Sequence, residues 1–243
     1  MNRVLAFLYG AFCYLIFLGT FLYMIGFIGN IFVPKSIDGP AETSVVQAIF
    51  VDTLLLGLFG AQHSIMARQG FKRVWTKIVP EPIERSTYVL FTSSILLLLF
   101  WKWQPIESTV WQVETQPWAA ILRVIQFAGW FIVLFSTILI NHFELFGLKR
   151  VYLYLRSKER DAVTFKTPSL YRYMRHPIYF GFIVAFWVTP AMTLGHLLFA
   201  LLITGYIFVG IHFEEKDLIQ FFGDTYLKYK QNVSMILPLR LKR

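Results

Sequence analysis

The sequence contains few charged residues and a single cysteine. Asp, Glu, Lys and Arg make up 15% of the 243 residues, whereas soluble domains carry about 25%. Cys13 alone forms neither a disulfide framework nor a multi-thiolate metal site. Hydrophobic residues reach 56% and aromatic residues 18%. This balance excludes an ordinary soluble domain and indicates an integral membrane protein.

Common nucleotide-binding and hydrolase motifs are also missing. The chain has no Walker A sequence, no GxGxxG turn and no GxSxG nucleophile elbow. His142 and Glu144 are not at the helical spacing of metal ligands, and no His-x-x-x-His pattern occurs. We therefore predict no metal site. Haem ligation by His63 and His142 stays open, without a paired-histidine pattern in its favour.

Apolar segments dominate the chain. Four of them, near residues 4–33, 46–66, 86–103 and 118–141, match the length of about 17–25 residues that spans a bilayer. A final apolar block, 178–213, would measure about 54 Å as one helix, more than the bilayer core of about 30 Å. Because Pro190 and Gly195 interrupt this block, we predict a hairpin of helices at 178–190 and 195–213.

The predicted fold is all-α, with five to six transmembrane helices. We interpret residues 1–243 as one membrane domain, with four helices in 1–141 and a C-terminal region in 142–243 that holds a loop, the hairpin and a tail. All Lys and Arg residues except Lys35, Lys102 and Arg123 lie near the N-terminus, in 67–85, in 142–177 or after 213. This asymmetry predicts cytoplasmic termini.

The formal net charge of +9 is explained by this orientation and by contact with anionic membrane lipids. We therefore predict membrane lipids as partners and no nucleic acid. The sequence predicts no protein partner.

Polar side chains collect at the predicted cytoplasmic ends of the apolar segments. They are Gln62 and His63, then Asn141, His142 and Glu144, then Arg175, His176 and Tyr179, and finally His212, Glu214 and Glu215. Because ionisable groups at membrane depth are costly, their convergence predicts a cytoplasmic pocket. Simpler interpretations stay open: Arg175 as a lipid-facing anchor, Glu214 and Glu215 as a solvated helix end, and His63 as an interhelical hydrogen-bonding residue.

Two separated motifs are recognisable. Residues 171–181, Tyr-Arg-Tyr-Met-Arg-His-Pro-Ile-Tyr-Phe-Gly, resemble the Arg-His-Pro-x-Tyr-x-Gly signature of integral-membrane methyltransferases, which include isoprenylcysteine carboxyl methyltransferases and phospholipid methyltransferases. Residues 214–229, from Glu214-Glu215 through Phe222-Gly223-Asp224 to Tyr226 and Tyr229, resemble the second half of that signature. Residues 62–68 and 141–148 are similar to those of bacterial methanethiol S-methyltransferases.

The resemblance implies methyl transfer from S-adenosylmethionine to a small thiol. The expected acceptor is methanethiol, giving dimethyl sulfide, with hydrogen sulfide as a further acceptor. The expected location is the inner membrane of a bacterium, with the active site facing the cytoplasm. Two alternatives remain: a methyltransferase for a prenylcysteine or phospholipid, and a non-enzymatic membrane or haem-associated factor.

The resemblance also implies the residues that bind S-adenosylmethionine. They are Tyr171, Arg175, His176, Pro177, Tyr179, Gly181, Glu214 and Glu215. Pro177 as the first residue of a helix sacrifices no hydrogen bond, and the helix start attracts a carboxylate. Glu214 and Glu215 lie about 100° apart around a helix, so we expect one of them, by preference Glu214, to face the cofactor.

A base or a thiolate-stabilising group would assist the acceptor, because the thiolate is the nucleophile and a thiol with a pKa of about 8.5 is mostly protonated at neutral pH. His63 and His142 are the candidate bases, with Glu144 as an orienting partner. Gln62 and Asn141 are assigned to substrate binding.

Overall fold

The computed structural model describes residues 1–159 and 164–238, most of which are helical. In chain order the elements are α1 (Arg3–Gly29), α2 (Val45–Ala67), α3 (Gln69–Trp75), α4 (Glu81–Lys102), β1 (Thr109–Gln112), α5 (Trp118–Leu139), α6 (His142–Leu145), α7 (Leu148–Leu155), a 3-10 helix (Ser169–Arg172), α8 (Pro177–Trp187), β2 (Ala191–Thr193), α9 (Leu194–Phe222) and α10 (Asp224–Asn232). The two short strands pair with each other.

Among the described residues, five helices are long and apolar enough to cross a membrane: α1, α2, α4, α5 and α9. Helix α8 is a shorter apolar helix. The prediction of an all-α integral membrane protein with five to six membrane helices is therefore confirmed. Residues 160–163 of the basic loop and 239–243 of the tail lie outside the described residues.

Helix α1 ends at Gly29, before the end of the apolar segment 4–33. Its first turn is capped by Asn2, whose side chain accepts a hydrogen bond from the Val4 amide at 2.9 Å. At the other end Asn30 has φ 55°, and its amide bonds to the Gly26 carbonyl. A left-handed residue of this kind terminates helices, so the helix stops at Gly29 and Pro34 lies in the following loop.

Two helices extend beyond the apolar segments predicted from the sequence and include charged residues. Helix α4 begins at Glu81 rather than near residue 86, with a proline in its first turn and with Glu81 and Glu84 at the positive end of the helix dipole. Helix α9 continues to Phe222 instead of ending near residue 213. Glu214 and Glu215 therefore lie inside a helix, and they do not close it as predicted.

Helices α8 and α9 form the predicted hairpin, because the chain turns between Trp187 and Leu194. The two helices pack against each other, as the Trp187 indole nitrogen donates to Thr204 Oγ1 at 2.9 Å. The turn is held by β1, since Trp111 Nε1 donates to the Thr189 carbonyl at 3.0 Å.

Helix α8 also packs closely on α5 through glycine. A Cβ atom added at Gly181 would lie 2.7 Å from the Gly129 carbonyl oxygen, and one added at Gly129 would lie 2.6 Å from the Ala185 amide nitrogen. Such distances leave no room for a side chain. Trp130 covers the contact with its ring edge-on to Phe182 and Phe186.

The described residues form two compact units. The first comprises 1–108, 141–159 and 193–199, and the second comprises 109–140, 164–192 and 200–238. The first unit thus holds α1 to α4, α6, α7 and the start of α9, whereas the second holds α5, α8, the rest of α9 and α10. The division into residues 1–141 and 142–243 within a single membrane domain stays a prediction.

The first unit has one basic end and one end with little positive charge. At the basic end, α7 contacts the N-terminus, where Tyr154 donates to the Met1 carbonyl at 3.1 Å. At the other end, Asp38 accepts hydrogen bonds from Asn30 and Thr193. These contacts lie at opposite ends of α1, because Met1 precedes the helix and Asp38 follows it. Only Lys35 and Lys102, among the described Lys and Arg residues of this unit, belong to the second end.

Candidate functional site

In the second unit, the Arg-His-Pro motif is fixed to the C-terminal segment by backbone hydrogen bonds. The Arg175 amide donates to the Ser234 carbonyl at 2.9 Å, and the His176 amide donates to the Met235 carbonyl at 3.0 Å. Helix α8 then begins at Pro177, as predicted from the sequence. This arrangement places the Arg175 and His176 side chains against the polar part of α9, where they contact Glu214 and Glu215.

We call Arg175, His176, Tyr179, Glu214, Glu215 and Lys230 the carboxylate cluster. Glu215 lies at its centre and is only 5% exposed. Its Oε1 atom is 2.7 Å from Arg175 Nε and 3.2 Å from His176 Nε2, and its Oε2 atom is 2.6 Å from Lys230 Nζ. Both carboxylate oxygens therefore already have cationic or imidazole partners.

Arg175 is bound on more than one side. Its Nη1 atom donates to the Lys230 carbonyl at 3.1 Å and also to the Val233 carbonyl, while Nε holds Glu215. This guanidinium ties α9 to the C-terminal segment. Arg175 and Glu215 together hold the cluster in place, since a buried ion pair of good geometry resists separation.

Glu214 differs from its neighbour in exposure. Its side chain is 47% exposed. The Tyr179 hydroxyl donates to Glu214 Oε2 at 2.9 Å, and His176 Nδ1 lies 3.7 Å from the same oxygen. The spacing of adjacent helical positions explains the difference, because a rotation of about 100° turns one carboxylate inward and the other outward. Glu214 is thus the carboxylate with capacity for a further partner.

A group of aromatic side chains adjoins the carboxylate cluster. Tyr226 and Tyr229 stand at T-shaped geometry to Phe165, and the Tyr229 hydroxyl donates to the Tyr171 carbonyl at 2.5 Å. Burial raises the pKa of Tyr229 to about 12 and also raises the pKa values of Tyr171 and Tyr226. All three phenols therefore keep their protons at neutral pH and serve as donors. The buried Tyr226 hydroxyl has no hydrogen-bond partner among the described residues.

Gly181 has a packing role besides the cofactor contact that the resemblance implies. Its position against the Gly129 carbonyl shows that the close approach is that of helix α5. Gly181 therefore stands in the α5–α8 contact, while Tyr179, two residues earlier, contacts Glu214.

An apolar groove of about 540 Å³ also lies in the second unit. Its walls are α8, α9 and the C-terminal segment. The lining residues are Ile183, Trp187, Thr204, Phe208, Met235, Ile236 and Leu237. This volume is in the range of small-molecule sites.

In the first unit, His63 is held by Tyr88 of α4. The Tyr88 hydroxyl lies 3.0 Å from both ring nitrogens of His63, and the Phe59 ring stacks on the imidazole at a centroid distance of 5.5 Å. Gln62 contacts the same helix, since its Oε1 atom accepts a hydrogen bond from Thr92 at 3.4 Å. His63 and Gln62 therefore face α4, where Tyr88 is 5% exposed.

His142 begins helix α6 and contacts α1. Its Nε2 atom is 2.9 Å from the Tyr14 hydroxyl, and its ring lies 4.8 Å from that of Phe146. Asn141, at φ 86°, caps α6 by accepting from the Glu144 amide at 3.3 Å. Burial lowers the pKa of His142, so its imidazole is neutral at neutral pH and able to accept a proton.

Glu144 pairs with an arginine. Its Oε1 atom lies 3.1 Å from Arg150 Nε, and Arg150 Nη1 also lies 3.3 Å from Glu84 Oε2. Arg85 follows Glu84 and differs from Arg150. Its Nε donates to the Leu145 carbonyl at 2.7 Å, and it makes no ion pair with a carboxylate in the described parts of the chain.

The sequence had not selected several of these residues. Tyr226 and Tyr229 lie within the motif at residues 214–229, so the spacing of that motif could have indicated them as site residues. Lys230 follows directly. Arg85 and Tyr88 resemble ordinary residues at the start of a membrane helix, and no pattern distinguished them. Within residues 1–159 and 164–238, no three His, Cys, Asp or Glu side chains gather as a metal site requires.

A membrane-spanning helical fold in which Arg-His-Pro and Glu-Glu motifs meet in one cluster defines the class of integral-membrane methyltransferases. The chain is 56% identical over 238 residues to methanethiol S-methyltransferase 1 of Bradyrhizobium diazoefficiens, covering 98% of this chain and 84% of that protein. It is 51% identical to methanethiol S-methyltransferase of Mycobacterium tuberculosis, covering 98% of each chain. The chain belongs to the methanethiol S-methyltransferase family.

A more distant relative is nurim of Mus musculus, 29% identical over 186 residues, which cover 73% of this chain and 70% of nurim. No protein-family model matches the chain. No solved structure matches it.

Proposed function

We propose that this protein transfers a methyl group from S-adenosylmethionine to methanethiol, giving dimethyl sulfide, and that hydrogen sulfide is a further acceptor. The observation that carries the proposal is the 56% identity to a methanethiol S-methyltransferase over 98% of the chain. The similarity includes both units, so it covers the carboxylate cluster and the histidines of the first unit alike.

The carboxylate cluster fits the polar groups of S-adenosylmethionine. When bound, S-adenosylmethionine supplies a methyl group activated on a sulfonium. Glu214 keeps an exposed carboxylate, which suits the ammonium or the ribose hydroxyls. The Tyr226 hydroxyl is buried without a partner, a costly state that an acceptor atom of a ligand would relieve. Both observations favour a polar ligand at this cluster.

The remaining cofactor candidates then have distinct tasks. His176 and Tyr179 orient Glu214, because both reach its Oε2 atom. Arg175 and Glu215 hold the motif against α9. Pro177 sets the start of α8, whose free amides attract a carboxylate. Tyr171 contributes to the aromatic wall beside the cluster, and Gly181 fixes α8 on α5.

In the first unit, His63 and His142 are the proposed bases. A thiol loses its proton to an imidazole nitrogen, and its sulfur keeps the electron pair for attack on the methyl group. Tyr88 orients His63, and Tyr14 orients His142. Gln62 and Asn141 are proposed to bind the acceptor. Glu144 holds Arg150, so we assign it to the stability of α6 and α7 in addition to orienting the base.

We also propose that the protein lies in the inner membrane of a bacterium with this chemistry on the cytoplasmic side. The concentration of Lys and Arg at one end of the first unit supports this orientation. A charged methyl donor then arrives from the cytoplasm, whereas methanethiol, which is small and apolar, enters through lipid.

The groove in the second unit favours one second candidate function. Its apolar lining and volume of about 540 Å³ suit the hydrocarbon part of a prenylcysteine or phospholipid acceptor. An amphiphilic substrate of this kind would reach the groove from the membrane.

The test uses purified full-length protein with labelled S-adenosylmethionine and three acceptors: methanethiol, hydrogen sulfide and a prenylcysteine. We expect dimethyl sulfide from methanethiol, detected by gas chromatography. Labelled prenylcysteine ester without dimethyl sulfide would replace our proposal with the second candidate. No labelled product from any acceptor would favour a non-enzymatic role.

The cofactor site is tested separately by calorimetry. Glu214→Gln is expected to weaken S-adenosylmethionine binding about 10-fold or more, as the loss of a charge-assisted hydrogen bond does. Asp224→Asn removes an exposed carboxylate at the start of α10 and is the matched control. Equal affinities of the two variants would place the cofactor elsewhere.

A further inference from the structure

The start of α4 carries a guanidinium that the proposed reaction has not yet used. Arg85 is half-buried, and its Nε donates to the neutral Leu145 carbonyl at 2.7 Å. Its guanidinium carbon lies 5.0 Å from the centre of the Tyr88 ring. An arginine does not lose its charge in a protein. A positive charge therefore stands beside the side chain that holds His63.

The nearby carboxylates make their direct contacts with Arg150 and not with Arg85. Arg150 forms ion pairs with both Glu84 and Glu144, at 3.3 and 3.1 Å. Arg85 has no ion pair with a carboxylate in the described parts of the chain. The charged and titratable groups that act on Arg85 are Tyr88, Arg150, Glu84, Glu144 and His63. Of these, Glu84 and Glu144 contact Arg150 and act on Arg85 only at longer range, and Tyr88 and His63 bond to each other.

A membrane-anchoring role does not account for this geometry. An arginine that serves as a positive-inside anchor extends its guanidinium into water or toward lipid phosphates. Arg85 instead bonds to the last residue of α6 and lies over an aromatic ring. Cation–π contact contributes about 0.5–2 kcal/mol, less than a charge partner provides at membrane depth. Arg85 therefore keeps guanidinium N–H groups to which the described residues bring no carboxylate.

We propose that Arg85 stabilises the thiolate form of the acceptor in the first unit, beside His63 and Tyr88. This inference rests on the proposed function. The S–H bond of the acceptor breaks, its proton passes to the His63 imidazole, and its electron pair remains on sulfur. That pair forms the new carbon–sulfur bond, and the pair of the broken bond stays on the sulfur of the methyl donor. The Arg85 guanidinium attracts the thiolate throughout, since no carboxylate of the described residues forms an ion pair with it.

The general effect of a neighbouring cation sets the expected size of this change. A cation within about 4–6 Å lowers the pKa of an acidic group by about 1–3 units. Loss of the charge is therefore expected to move the pH profile of kcat/KM toward alkaline pH by about 1–2 units. At neutral pH, kcat/KM for methanethiol falls by about 10-fold to 100-fold. At strongly alkaline pH the variant and the wild type converge.

The experiment compares Arg85→Gln with Arg85→Lys in the full-length protein. The Gln amide is able to donate to the Leu145 carbonyl but has no charge, whereas Lys keeps the charge with a different shape. We expect Lys to restore most of the activity and the original pH profile. Arg73→Gln removes an exposed cation from α3 and is the matched control, expected to leave both unchanged.

A second acceptor distinguishes loss of the Arg85 charge from loss of the fold. Hydrogen sulfide is more acidic than methanethiol, so Arg85→Gln is expected to lose less activity with hydrogen sulfide. Thermal unfolding of each variant shows whether the fold is retained. A variant that is folded but less active, with an unshifted pH profile and equal losses on both acceptors, overturns the role of Arg85. If the wild type itself methylates neither thiol, the proposed function fails instead.

Discussion

Glu215→Gln tests whether the carboxylate cluster supports the fold of the second unit. The side chains of Glu215 and Arg175 are 6% and 8% exposed, with 2.7 Å between Oε1 and Nε. Removal of one partner from a buried ion pair costs about 3–5 kcal/mol, because the other charge stays buried without compensation. Lys230 is 41% exposed and adds about 1 kcal/mol at most. We expect a loss near the lower limit, about 3 kcal/mol, because the Gln amide oxygen still accepts a hydrogen bond.

The assay is thermal or denaturant unfolding of the purified protein in detergent. Glu214→Gln is the matched control. Its side chain is 47% exposed, so its stability is expected to change by less than about 1 kcal/mol. The double variant Glu215→Gln/Arg175→Met removes both charges and is expected to recover part of the loss. Equal stabilities of the two Gln variants, or a double variant weaker than Glu215→Gln, would refute the reasoning.

Three other changes probe packing and protonation, each followed by unfolding in detergent. Gly181→Ala is expected to cost about 1–3 kcal/mol through overpacking, because its Cβ would meet the Gly129 carbonyl at 2.7 Å; Gly205→Ala, with open space around it, is the control and should be neutral or stabilising. A stable Gly181→Ala would contradict the close contact. Gly147→Ala is expected to cost about 1–2 kcal/mol, because Gly147 has φ 86°, and an unchanged midpoint would count against this strain. Burial lowers the pKa of His142, so the unfolded chain binds a proton at this imidazole more tightly than the folded protein does. The stability that neutral His142 contributes is complete above about pH 6.5, the pKa in the unfolded chain. It is lost as pH falls toward the lower pKa of the folded protein. His142→Gln should remove this part of the pH dependence, and identical curves would rule it out.

Hydropathy was enough to predict the membrane helices, because the requirement for about 20 apolar residues is set by bilayer thickness. It was less informative at helix ends. Helix α4 includes Glu81 and Glu84 since carboxylates are favourable at a helix N-terminus, and a hydropathy scale counts them only as polar. Asn30 ends α1 through a left-handed backbone conformation, which the hydropathy of the segment 4–33 does not indicate.

The site was predicted as a set of residue types, but their division of tasks required the fold. Adjacent carboxylates at positions 214 and 215 are equivalent in the sequence. Burial separates them, because α9 turns Glu215 toward Arg175 and leaves Glu214 exposed. Gly181 shows the same limit. Its motif position implies a cofactor contact, and the packing of α5 on α8 shows a helix as its neighbour.

The two arginines of the candidate site illustrate why neighbours decide chemical capacity. Arg175 lies in a recognisable motif, yet Glu215 neutralises it and two backbone carbonyls take further donors. Little charge is left for a ligand, so Arg175 is suited to holding α9 and the C-terminal segment together.

Arg85 lies in no motif, and Arg150 rather than Arg85 contacts the two nearby carboxylates. In the described parts of the chain the Arg85 guanidinium therefore has no carboxylate in contact. Substitution by Lys should separate the two cases. At position 175, Lys loses the hydrogen-bond geometry that joins two segments, so stability falls. At position 85, Lys keeps the charge, so the pH profile is retained.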